Sequence, residues 1–97
     1  MSGTIRENRK IKIELNGDFE GWWAEMRLHV PFKLALMLEA EDAEDRVNAI
    51  RGLIIAHNFK PEVGFDDVLE DPTDAPDDAI DQLLRKWGEI KAALPSA

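Results

Sequence analysis

Residues 10–30 read KIKIELNGDFEGWWAEMRLHV, and their patterning decides the fold class. In KIKIEL (10–15), Ile11, Ile13 and Leu15 alternate with Lys10, Lys12 and Glu14. That period of two gives a strand one apolar face and one wet face. NGDFEG (16–21) is turn chemistry, because Asn-Gly and a second glycine reach positive φ at low cost. WWAEMRLHV (22–30) alternates again: Trp22, Ala24, Met26, Leu28 and Val30 on one side, Trp23, Glu25, Arg27 and His29 on the other. The pattern predicts an antiparallel hairpin pairing 10–15 with 22–30, with Trp22 in the core and Trp23 on the outer face. Its Ala, Met and Leu also suit a helix, which is the rival reading of the second segment.

Beyond the hairpin the period changes. Pro31 stops a strand and suits the first turn of a helix. PFKLALMLEAE is apolar on nearly every side, which predicts a short, well-buried helix over about 31–41. Asp42, with Asp45 three residues on, forms a capping-box-like start to a second helix over 43–57. Ala43, Val47, Ile50, Ile54 and His57 share its apolar face, with Leu53 beside them. Residues 58–75 hold two prolines and one glycine and read as an extended loop with one turn at FDDVLE. Asp74 is the expected cap of a last helix over 75–93, with Pro76, Asp77 and Asp78 in its first turn. Its stripe is Ile80, Leu83, Leu84, Trp87, Ile90, Lys91 and Leu94, and Pro95 ends it. The expected fold is α+β: an N-terminal hairpin (10–30) and about three helices in one domain over 10–94. A flexible stretch (1–9) and a tail (95–97) are expected to flank it.

Composition narrows the function classes. The 97 residues fit one domain, and with 44% apolar content they can build a core, though a small one. Stretches left unpacked are expected to be completed by a partner or by self-association. The absence of cysteine excludes disulfides and thiolate metal sites and fits a reducing cytosol. MSGTIRENRK lacks the pattern of a secretory signal, and LALML at 34–38 is far too short to span a bilayer. Net charge is −8, unevenly spread: residues 1–33 carry six Lys/Arg against five Asp/Glu, residues 34–97 six against fifteen. That distribution argues against nucleic-acid and anionic-membrane partners, which need a basic face. An acidic face can steer a basic partner, although acids also simply keep a small protein soluble.

No catalytic, cofactor or metal constellation is legible. His29 and His57, the only histidines, are not in an HExxH arrangement, and His57 reads as a helix-end residue. Ser2 and Ser96 are the only serines and stand at the ends, which leaves no nucleophile for a triad. FDDVLEDPTDAPDD lacks the glycine of a calcium loop, so its carboxylates read as a solvated face with helix caps. The reading is therefore of a non-enzyme with no cofactor. Its candidate contact residues are Trp23, Arg27 and His29 on the outer hairpin face, then Phe59 and Phe65 in the loop, each weighed against ordinary packing.

The order of motifs adds a resemblance. A short strand, FEGWWAEMR (19–27), a proline and a helix are followed by GLIIAHNF (52–59), KPEVGFDDVLEDP (60–72) and IDQLLRKWGEI (80–90). This order resembles the small tail assembly chaperones of long-tailed bacteriophages, especially those infecting actinobacteria, over roughly residues 10–94. His57 departs from the acidic or Trp-like residue expected beside the Asn. The resemblance implies a chaperone that coats the helical tape-measure protein and helps recruit tail-tube subunits. It further implies a frameshifted longer form, synthesis in the host cytoplasm and absence from the finished virion. Two alternatives stay open: a small structural virion protein of the head–tail junction or tail, and an acidic binder or inhibitor of a basic partner.

Overall fold

The computed structural model describes residues 10–93. The expectations for 1–9, for Leu94 and Pro95 and for 95–97 lie outside them. The fold is α+β: a three-stranded antiparallel sheet, with three helices. Strand β1 (Lys10–Glu14) pairs with β2 (Trp23–Arg27), with Ile13 opposite Ala24 and Ile11 opposite Met26. The expected hairpin is present, but β2 ends at Arg27 rather than 30, and Leu28 and His29 form a bend ahead of Pro31. Gly17 at φ 68° and Gly21 at φ 94° bracket the turn, which contains a short 3-10 helix (Gly17–Phe19). Positive φ at both positions is what their lack of a Cβ permits.

Helix α1 (Phe32–Leu38) is shorter than expected, and none of its residues is buried, which corrects the expectation of a buried helix. A seven-residue helix with apolar residues all round cannot cover every side when only one neighbour packs on it. Leu34 and Leu38 turn toward the core, while Phe32 and Leu36 face away. Helix α2 (Ala43–Leu53) begins as expected, with Asp42 accepting from the Glu44 N–H at 2.9 Å. It ends four residues early. Ile54–His57 forms β3, paired antiparallel with β2, so the helix expected over 43–57 is a helix followed directly by a strand.

Two features explain the switch. Ile54 and Ile55 are β-branched and favour extended backbone. The open edge of β2 offers ladder hydrogen bonds that four more helical residues could not supply. Between Glu25 opposite Ala56 and Met26 opposite Ile54, one residue is left over, so Ile55 bulges out and is exposed. The buried face of α2 also differs from the expected stripe. Ala49 and Leu53 are buried, one turn apart, whereas Ala43 and Val47 are exposed. His57 consequently sits in a strand, not at a helix end.

Residues 58–76 are irregular except for a 3-10 turn (Pro72–Asp74) capped by Asp71, which accepts from the Thr73 N–H. Asp74 lies inside that turn instead of capping the last helix. Helix α3 (Asp77–Ala93) begins two residues later than expected, its first turn closed by the Pro76 carbonyl. Its apolar stripe, with Ala79 and Leu83 buried, covers the inner face of the sheet against Ile13, Leu15, Ala24 and Met26. Polar side chains of α3 also cap the β1 edge: Gln82 Oε1 accepts from Asn16 N–H at 2.6 Å, and Lys86 Nζ donates to Glu14 C=O at 3.0 Å. Such capping blunts an edge that would otherwise template pairing with other chains.

Candidate functional site

Alternation separates the tryptophan doublet as expected. Trp22 is buried between Phe19 and Phe59, with ring centroids 5.0 and 5.6 Å away. Trp23 lies half-buried on the outer face, beneath the Lys12 ammonium at 4.9 Å from its centroid. Lys10 and Glu25 form an ion pair at 3.7 Å on the same face. Asn58 fixes the doublet from the neighbouring chain segment. Its Oδ1 accepts from Trp23 N–H at 2.8 Å, and its Nδ2 donates to Gly21 C=O at 3.0 Å. The side chain thus continues the pairing beyond β3 and fixes the backbone on both sides of Trp22.

The other expected contact residues separate. Arg27 is exposed, but its Nε donates to Gly52 C=O at 3.1 Å, satisfying a carbonyl left unpaired at the C-terminal end of α2. His29 is exposed in the bend after β2, not on the strand face with Trp23. Phe59 is 0% exposed and among the largest fully buried side chains, so it leaves the contact set as a core residue. The alternation of β3 carries on past its end and delivers Phe59 to the inner face, a signal hidden while 54–57 is read as helix. Phe65 is 50% exposed, on the loop.

The surface that sequence reasoning missed is on α1. Phe32 is 78% exposed and Leu36 55%, one turn apart on a single face. Pro31 opens the helix, its carbonyl accepting from Ala35 N–H, and the opposite side rests on α2. Gly52 allows that approach, because a Cβ there would lie 3.2 Å from Leu34 Cδ2. The signal is present in FKLALML, where five large apolar residues in seven exceed what one helix–helix contact can bury.

Two titratable groups with displaced pKa values, Asp71 and His57, have structural work. Asp71 Oδ2 meets Arg51 Nη2 at 2.8 Å and Nε at 3.0 Å, while Oδ1 accepts from Thr73 N–H and Oγ1–H. The Arg51 guanidinium first, then the Thr73 donors, pull the Asp71 carboxyl down to about 2 and tie the 3-10 turn to α2. Burial lowers the His57 pKa, against opposing pulls from the Glu70 backbone and Asp71. Its Nδ1 accepts from Phe59 N–H at 3.0 Å, a bond that needs the neutral ring. Among the described residues no group of three or more His, Asp or Glu is placed to hold a metal ion. No helix among them is long and apolar enough to cross a membrane.

No family model, no curated protein and no solved structure matches this chain.

Proposed function

We propose that this protein is a non-enzymatic assembly chaperone whose α1 face holds an extended helical client. The observation that carries the reading is the pair Phe32 and Leu36, exposed one turn apart on a helix with no buried residue. Monomeric proteins expose such side chains together mainly where something docks, and a helix face with i, i+4 anchors suits another amphipathic helix. The motif order supplies the client. By its resemblance to phage tail assembly chaperones, the client is the tape-measure protein, kept soluble in the host cytoplasm until tail-tube subunits assemble around it. Trp23 is the second contact candidate on this reading, since its ring is only half-buried, beneath the Lys12 ammonium.

Co-expression with a phage tape-measure protein tests the proposal. The expected result is co-purification and a clear rise in the client's soluble fraction, both reduced by Phe32→Ser/Leu36→Ser. Because those side chains face solvent, the double variant is expected to keep its melting temperature. No co-purification, or an unchanged soluble fraction, would contradict the reading. Stoichiometric recovery of the protein in purified particles would favour a structural virion role instead.

A further inference from the structure

The segment Lys60–Val68 leaves the core and returns between two fixed points. Phe59 is fully buried, and its carbonyl accepts from Leu69 N–H at 2.8 Å, which closes the base of the excursion. Within it, Phe65 N–H donates to Glu62 C=O at 3.2 Å, and Gly64 has φ 96°, a conformation that disfavours any side chain there. This anchored loop holds Val63, Phe65 and Val68 at 54%, 50% and 53% exposure.

Carboxylates accompany the apolar residues. Glu62, Asp66, Asp67 and Glu70 stand against one lysine, Lys60, whose ammonium lies 6.0 Å from the Trp22 ring. The two ion pairs among the described residues are Lys10–Glu25 and Arg51–Asp71, so none of the four carboxylates has an ionic partner among those residues. Uncompensated charge beside exposed apolar side chains selects the occupant by sign. Phosphate backbones and anionic lipid surfaces are repelled, and the same loop of a second copy carries the same charge. A segment with apolar side chains flanked by Lys or Arg satisfies both halves of the surface, and long cationic side chains can lay their stems along Val63 and Val68.

We propose that the Lys60–Leu69 loop is a docking site for a basic amphipathic segment of a partner protein. Apolar side chains of that segment cover Val63, Phe65 and Val68, and its cations meet Glu62, Asp66, Asp67 and Glu70. The site is separate from the α1 face and does not rest on the identity of the client proposed above.

The test uses the full chain, isotope-labelled, titrated with a synthetic Leu/Lys amphipathic helix of roughly 18 residues, long enough to form in contact with a surface. A Leu/Glu version of the same peptide is the control. The expected result is a set of amide shifts concentrated in 60–70, seen with the Lys peptide only and weakened between about 50 and about 300 mM salt. Phe65→Ser/Val68→Ser is expected to weaken binding about tenfold or more with an unchanged melting temperature. Asp66→Asn/Asp67→Asn is expected to weaken it and flatten the salt dependence, whereas Phe32→Ser/Leu36→Ser leaves it unaltered. Shifts centred elsewhere, equal binding of the Glu peptide, or full binding by the Phe65/Val68 variant would overturn the proposal. Concentration-dependent self-association abolished by that variant would do so too, by giving the loop to a second copy.

Discussion

Trp22 lies against Phe19 and Phe59, so truncating it empties the centre of the aromatic cluster. Trp22→Ala is expected to cost about 3–5 kcal/mol in urea unfolding, the range for large aromatic truncations in cores. Trp23→Ala, which loses a half-exposed ring and one cation–π contact, is expected to cost only about 1 kcal/mol. Equal losses would mean that the outer face is covered. Asp71 provides a test against pH. Its carboxyl is held at about 2 in the folded protein, below the ordinary 3.8, so the unfolded chain binds the proton first as pH falls. The stabilisation is therefore fully present above about pH 4 and is lost toward pH 2. Asp71→Asn is expected to lower the melting temperature at pH 7 and to converge with the wild type near pH 2. A difference that persists at pH 2 would assign the effect to something other than this carboxylate. His57 shifts in the same direction, since burial favours its neutral ring and protonation would break its bond from Phe59 N–H, so its contribution too is lost as pH falls. Its imidazole NMR titration midpoint is expected below the ordinary 6.5, and a midpoint above it would contradict the geometry.

The switch from α2 to β3 sets the position of nearly everything after it. Its consequence is testable on α2 itself: Leu53→Ala is expected to cost about 2–5 kcal/mol, and exposed Val47→Ala less than about 0.5 kcal/mol. The reverse order would restore the stripe through Val47 that periodicity favoured. Asn58→Ala removes the two side-chain hydrogen bonds that hold Gly21 and Trp23 and is expected to cost about 1–3 kcal/mol. The hairpin was legible because Ile11, Ile13, Ala24 and Met26 obey a strict alternation enforced by one buried face. Residues 54–57 were not, because IIAH continues the three- and four-residue spacing of the preceding helix and only pairing with β2 distinguishes the two states. The same tertiary contact carried Phe59 inward, and with it one of the five candidate contact residues. Burial on α1 was misread for a related reason: apolar content shows what a helix could bury, while the number of neighbours decides what it does bury.

Across the molecule, packing and exposure divide by location. Helix α3 and the sheet enclose the core, whereas α1 and the 60–69 loop carry apolar groups to solvent at separate places. Arg27 ties the α1–α2 pair to one end of β2, and Asn58 with Phe59 anchors the loop at the other. One small domain thus exposes apolar side chains at two separate places, which on the proposed reading would hold one partner and meet another. The excess of acid in residues 34–97 extends over the loop and underlies its proposed selection of a cationic partner. On the proposed function, α1 holds the client. Hydrogen–deuterium exchange of this protein, free and in complex with a tape-measure fragment, addresses it most directly. Strong new protection is expected over Phe32–Leu38, with the core amides of α3 unchanged. A stable complex that leaves 32–38 exchanging as in the free protein would contradict it.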